Sequence, residues 1–331
     1  MKRILATLVA SSFLVACEAS QNPFRGTGTV GSGTGGGVTN PGTGTPTTPT
    51  ASGIPASLAG TVTQMAYDAG AGTLTVFGVP FDNGQSGGAV YVRNAGLDRP
   101  GYLAFSIQDD PLDRHFTAFT AQDRNEGVVR AAIVMSGGLN NEVYGGGFYE
   151  RDGAYTPPND GTLAANPAGE VSYAGNYIGL SNYAGDRGDA LPVPAGTPSE
   201  QIPLQAAEVT GTIFLNADFG DGVISGGIND RMIDDGTGTL VAMPSLALLQ
   251  ANIAADGTFF GDIQHDGNTT VDTGDWGGIF GGTDAQGVAG VVNVTAITDP
   301  QASGEFEYGV FVLEQCGQPV DAGAACTGVN P

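Results

Sequence analysis

The sequence predicts an all-β protein whose second half closes as an eight-stranded antiparallel β-barrel. Three observations carry that expectation. Glycine accounts for 55 of the 331 residues, more than twice the usual share of roughly 7%, and helix interiors tolerate it poorly. Short runs of valine, threonine, isoleucine and aromatics alternate with polar residues and end in Asp-Gly or Gly-rich turns, the pattern of strands joined by hairpins. In the second half such runs number roughly eight, enough to close a small barrel around packed side chains.

The chain opens with Met1-Lys2-Arg3, followed by a short apolar run from Ile4 to Val15. A basic start and an apolar segment too short to anchor a chain have the proportions of a secretory signal. The run ends in Leu14-Val15-Ala16-Cys17, which resembles the bacterial lipobox. Residues 1–16 are thus expected to be a lipoprotein signal peptide, with Cys17 lipidated as the new N-terminus. Acyl chains add about 0.8 kcal/mol of membrane affinity per buried methylene. Glu18 follows the cysteine, where aspartate would resemble an inner-membrane retention signal, so the outer membrane is the expected destination and the cell surface the expected face.

Residues 17–58 read as a flexible linker rich in glycine, threonine and proline, with almost nothing to bury. Such a disordered N-terminal segment suits a tether holding a folded part away from a membrane.

Residues 59–165 read as a smaller β-rich unit. Thr61 to Tyr67 and Thr73 to Phe77 flank a turn at Asp68-Ala69-Gly70-Ala71-Gly72, a hairpin pattern. Further strands are expected at Ala89 to Val92, Tyr102 to Ile107, Val128 to Met135 and Glu142 to Tyr149.

Residues 166–315 carry the barrel pattern. Val209, Gly211, Ile213, Leu215, Ala217 and Phe219 share one strand face, with Thr210, Thr212, Asn216 and Asp218 on the other. Gly220-Asp221-Gly222 turns this strand back into Val223 to Ile228, and Asp256-Gly257 repeats the device. Leu246 to Leu249 reads as strand rather than helical turn because hairpins surround it. Val288 to Val294 and Phe306 to Leu313 complete the set, and Gly226, Gly261, Gly278 and Gly290 fall where a barrel wall bends.

The segments Tyr173-Ala174-Gly175-Asn176-Tyr177-Ile178-Gly179, Ala217 to Ile228, Gly257-Thr258-Phe259-Phe260-Gly261, Gly278 to Gly290 and Tyr308-Gly309-Val310-Phe311 stand in a telling order. Together they resemble the C-terminal β-barrel of transferrin-binding protein B-like surface lipoproteins. The resemblance implies a smaller handle domain before the barrel, a place that residues 59–165 fill, and a surface location. It implies binding of a protein or iron carrier rather than catalysis. The transferrin receptor itself carries two handle–barrel units where this chain has one, and this chain lacks the lysines and long inserted loops of a large host-protein interface.

Acids outnumber bases 34 to 11, for a formal charge of −23, and Lys2 is the only lysine. Cleavage after Ala16 removes two bases and no acid. Such a surface repels nucleic acid and anionic lipid, so membrane contact is left to the lipid anchor.

Residues able to do chemistry are few. His115 and His265 stand apart, and no His-x-x-x-His, Cys-x-x-Cys, P-loop or Gly-x-Ser-x-Gly pattern occurs. Asp109-Asp110 and Asp234-Asp235 could serve acid–base chemistry but lie beside turn residues, where solvated acids are ordinary. Asp266 to Asp275 starts like a calcium loop, yet Val271 stands where the turn needs glycine; it reads as a polar inter-strand loop. Tyr173, Tyr177, Tyr183, Phe148, Tyr149 and Tyr155 could be a recognition surface or packing between the two units. Cys316 and Cys326, in the tail 316–331, are expected to pair in an oxidising compartment. No catalytic residue, metal or cofactor is expected, and no residue is assigned to cofactor binding.

The functional expectation is a non-enzymatic outer-membrane lipoprotein that captures a ligand or protein, in metal or haem acquisition. The alternative is a structural or adhesive coat lipoprotein without a small ligand. A third reading, an enzyme using Asp234 and Asp235, requires convergent carboxylates in a cleft.

Overall fold

The computed structural model describes residues 53–68, 70–84, 87–158, 169–183, 188–234, 238–266, 271–298 and 304–327. The expected signal peptide, Cys17 and most of the expected linker lie outside these residues.

The chain builds two antiparallel sheets. The first is a seven-stranded meander of β1 (Gln64–Asp68), β2 (Thr73–Phe77), β3 (Ala89–Arg93), β4 (Leu103–Ile107), β5 (Phe116–Gln122), β6 (Val129–Ser136) and β7 (Gly145–Arg151), paired in chain order. Thr61 to Thr63, expected to open β1, bridge the sheet ends instead. The Thr61 amide donates to Gly145 O and the Thr63 amide to Phe77 O, which almost closes the meander. Ahead of them, Ile54 and Leu58 are buried and α1 (Ala56–Ala59) has formed. Folded chain therefore begins before residue 59, because two apolar side chains at the end of a polar tract suffice to dock it.

The second sheet contains β8 (Glu170–Ser181), β9 (Ala207–Asp218), β10 (Val223–Asp234), β11 (Leu240–Ala242), β12 (Leu246–Ile253), β13 (Thr258–His265), β14 (Asp272–Gly281), β15 (Gly287–Val294) and β16 (Glu307–Gln315). Pairing runs β10-β12-β13-β14-β15-β16-β8-β9, and β9 pairs back onto β10. Eight strands thus close the expected barrel, and the short β11 extends β10 beyond the rim.

Burial patterns show how the sheets meet. β9 largely alternates buried side chains with half-buried or exposed ones, as one wetted face requires, whereas β15 is buried at every position. Val288 and Val292 point into the barrel core, while Ala289 and Val291 join the core of the first sheet. Parity on β6 and β7 matches: Gly147 backs onto Val291, and Gly281 onto Val129. The first sheet therefore lies against the outer wall of β14, β15, β16 and β8 as a handle.

The β5 strand went unforeseen in the sequence because Phe116 to Gln122 is apolar or small at nearly every position. A strand buried on both faces loses its period of two.

Phe280 is the aromatic centre of the barrel core, with Tyr155, Tyr173, Phe219 and Phe259 packed around its ring. Elsewhere in the interior, Arg231 pairs with Glu307 at 2.5 Å, and Tyr177 Oη donates to the same carboxylate. A β-bulge between Asn229 and Met232, with Asp230 at φ 52°, turns Arg231 inward. Strand glycines, Gly290 of the expected bends and Gly309 beyond them, clear room for large neighbours. A Cβ on Gly309 would lie 1.9 Å from Tyr177 Oη, and one on Gly290 would lie 2.3 Å from the Phe311 ring. Gly226 does sit at a register shift, as expected of a bend.

Beyond β16, Cys316 and Cys326 form the expected disulfide and pack with Ala174 on the outside of the barrel.

Candidate functional site

The seam between handle and barrel is organised by the connection from β8 to β9. Its Leu191 amide donates to Gln108 Oε1 and its Leu204 amide to Gly138 O, so it runs along the handle. Asp189 is the knot. Its Oδ2 accepts from Asn94 Nδ2 and from Ser106 Oγ at 3.3 Å, with His115 Nε2 at 3.5 Å, while its amide donates to Gln205 Oε1 at 2.6 Å. One loop carboxylate thereby ties β3, β4 and the β4–β5 connection to the barrel.

Beside this knot lies a cleft of about 540 Å³, lined among others by Asn94, Arg99, Asp189, Glu208 and Asp234. Arg99 crosses the cleft to pair with Glu208. Arg93 pairs with Asp98 at 2.5 Å. Burial works against the Asp98 charge, but the bonds from Arg93 and the Ala104 amide hold its carboxyl below the usual carboxylate range.

Ser106, His115 and Asp189 are the residue types of a nucleophilic relay, but their arrangement differs. In such a relay the imidazole stands between hydroxyl and carboxylate; here hydroxyl and imidazole both meet one oxygen of Asp189. Burial depresses the His115 pKa and so favours the neutral ring, against the opposing pull of Asp189. The arrangement holds two units together.

The described members of the two acid pairs bond to their own turns and neighbours. Asp109 accepts from Asn83, Asp110 caps the Leu112 amide in a turn, and Asp234 caps Gly238. Asp235 lies outside the described residues. Of the possible calcium loop, residues 267–270 also lie outside, while Asp272 accepts from Gln264. His265 meets Ala296 O at 2.7 Å within the barrel wall. Tyr173, Tyr177, Phe148 and Tyr149 are buried as packing, Tyr155 stacks near Phe280, and Tyr183 is exposed. Sequence reasoning missed Asn94, Arg99 and Asp189 in loops and Glu208 at the start of β9, because a single polar residue carries no periodic signal.

A second convergence joins handle, barrel and tail. Glu314 on β16 accepts from the Arg124 amide and from Asn125 Nδ2 at 3.0 Å, and Arg124 Nη2 reaches Val320 O within the disulfide loop. Burial pushes the Glu314 pKa up to about 7, only partly offset by the Arg124 bond.

Fold and site define an all-β protein in which a handle sheet is clamped to the outside of a closed eight-stranded barrel. No family model matches the chain, and no curated protein matches it. Among solved structures it is similar to transferrin binding protein B from Haemophilus parasuis Hp5, a Tyr-167-Ala and Trp-176-Ala double mutant, at 12% identity and a TM-score of 0.39, over 76% of this chain and 42% of that one. Intact Ap-TbpB with its N and C lobes gives 11% identity and 0.39, over 76% and 43%. The isotype 1 protein from serogroup B Neisseria meningitidis gives 14% and 0.35, over 76% and 40%. The chain spans about two fifths of the length of each.

Proposed function

We propose that the protein is a non-enzymatic, outer-membrane surface lipoprotein, anchored through Cys17, that captures a protein ligand. The observation that supports capture at the surface is the filled barrel. Phe280, Trp276, Tyr173 and the Arg231–Glu307 pair occupy the interior that a lipocalin-like barrel would keep for a ligand. Exposed apolar side chains sit instead on the handle (Phe81, Val90, Val92, Leu112) and beyond the barrel rim (Leu240, Val241). That distribution suits contact with another macromolecule. Iron-carrier proteins and haem are the first ligands to try, following the sequence resemblance and a role in metal or haem acquisition. A thermal-shift and pulldown series with those carriers and with haem should give saturable binding to at least one protein carrier. Failure with every carrier and with haem would favour the alternative, a structural or adhesive coat lipoprotein. Nucleic acid is not an expected partner, given the charge of −23.

A further inference from the structure

The handle sheet is interrupted between β3 and β4. Their ladder comprises only Val92 with Ser106 and Arg93 with Phe105, continued by the Asn94 amide donating to Ala104 O at 2.9 Å. In an antiparallel pair every second residue turns its backbone groups to the same neighbour. Asn94 faces β4, so Val92 and then Val90 do as well. Had the ladder continued, Val90 would meet Gln108. Gln108 lies just past the end of β4 and outside the ladder, and its side chain is turned to other segments: Nε2 donates to Asp113 O at 2.9 Å and Oε1 accepts from the Leu191 amide at 2.7 Å. Among the described residues the Val90 backbone therefore has no strand partner on this side.

A groove of about 290 Å³ opens at this place. Val90 and Val92, 50% and 62% exposed, line it with Ile107 and Leu191, and Asp109 and Asp189 supply the charge. Neither lysine nor arginine is among the described lining residues. The described arginines are engaged elsewhere: Arg93, Arg99, Arg114, Arg124, Arg130 and Arg231 pair with acids, and Arg151 donates to carbonyls. An open strand edge, apolar side chains beside it and acids with no lysine or arginine among the described lining residues are the elements of recognition by strand addition.

We infer that the β3 edge at Val90 is a docking site for an extended segment of a partner protein, one that alternates apolar and basic residues and adds as a strand in the β3–β4 groove. The partner's backbone pairs with Val90, its apolar side chains lie on Val90, Val92 and Ile107, and its cations approach Asp109 and Asp189. A second copy of this chain is a poor occupant, since two bodies of charge −23 repel. The inference deepens the capture reading by naming a surface and a partner chemistry, and rests on it only for its biological use.

The test uses the full mature chain and a capped octapeptide of alternating valine and lysine, with hydrogen exchange read across β3. Saturable binding with new protection of the Val90 amide is expected, weakened at least about tenfold by Val90→Lys or Val92→Lys. Both positions are exposed, so both variants should keep the wild-type melting temperature. The same peptide with glutamate for lysine, or with a central proline, should not bind. Four results would overturn the inference: no saturation, wild-type affinity in both variants, equal binding of the proline peptide (charge attraction alone), or self-association abolished by Val90→Lys, which would place a second copy in the groove. A failed peptide test leaves surface display intact, and a chain facing the periplasm could still bind the peptide, so the two readings fail separately.

Discussion

Arg231 Nη2 donates to Glu307 Oε2 at 2.5 Å with both side chains fully buried inside the barrel. The pair joins two strands, β10 and β16, that are not neighbours in the wall. Tyr177 from β8 adds its hydroxyl to the same carboxylate, and Gly179 leaves room for Glu307. Burial, followed by the Glu307 charge, pushes the Tyr177 pKa well above its ordinary value, so the phenol stays a donor.

Breaking this pair from one side should be costly. Arg231→Met or Glu307→Gln leaves an uncompensated or under-bonded polar group in the core, and each is expected to lower stability by about 3–5 kcal/mol. The combined R231M/E307L/Y177F variant should recover much of that loss, because apolar groups of similar volume can replace a buried pair. Urea titration of the variants checks this.

Glu314 gives stability a pH dependence. Its folded pKa, about 7, lies above the ordinary glutamate value of 4.5, so the folded state holds this proton more tightly than the unfolded chain does. The associated stability is complete below about pH 4.5 and is lost as pH rises through 7. Glu314→Gln should flatten this part of the profile and raise the melting temperature at pH 8, while leaving it nearly unchanged at pH 5. Melting curves across this range read the difference.

The Cys316–Cys326 bridge closes a short loop. Loop entropy assigns it roughly 2–3 kcal/mol. C316S/C326S should therefore release the tail, and with it the Arg124 to Val320 contact, without unfolding the barrel. Hydrogen exchange should speed up in residues 316–327 and around Arg124, and remain slow in β14 and β15.

Gly309→Ala should destabilise by about 1–3 kcal/mol, because its Cβ would fall 1.9 Å from the Tyr177 hydroxyl. Gly87→Ala, where a Cβ meets nothing within 4 Å, is the matched control and should shift stability little. Chemical denaturation of both variants separates the space-making glycine from a turn glycine.

The barrel was largely legible in the sequence. Inward Val209, Ile213 and Leu215 alternate with wetted neighbours, and Asp221-Gly222 and Asp256-Gly257 punctuate the hairpins. The expected strand at Leu246 is present as β12. Legibility ended where both faces of a strand are covered, as in β5, or where a contact joins residues far apart in the chain. Nothing near Asp189 in sequence announces Asn94 or His115, since the fold alone brings them together. Arg231 was hidden for another reason. A bulge at Asp230 reverses the inside–outside alternation midway along β10, so an inward arginine falls out of phase with Ile224 and Ile228.

Protease shaving of intact cells tests the central proposal most directly. A lipid-anchored capture protein on the outer surface should lose its handle and barrel to added protease while a periplasmic marker survives, and Cys17→Ser should release it from the membrane fraction. Full protection in intact cells, with digestion only after the outer membrane is opened, would place the protein inside and contradict the proposal.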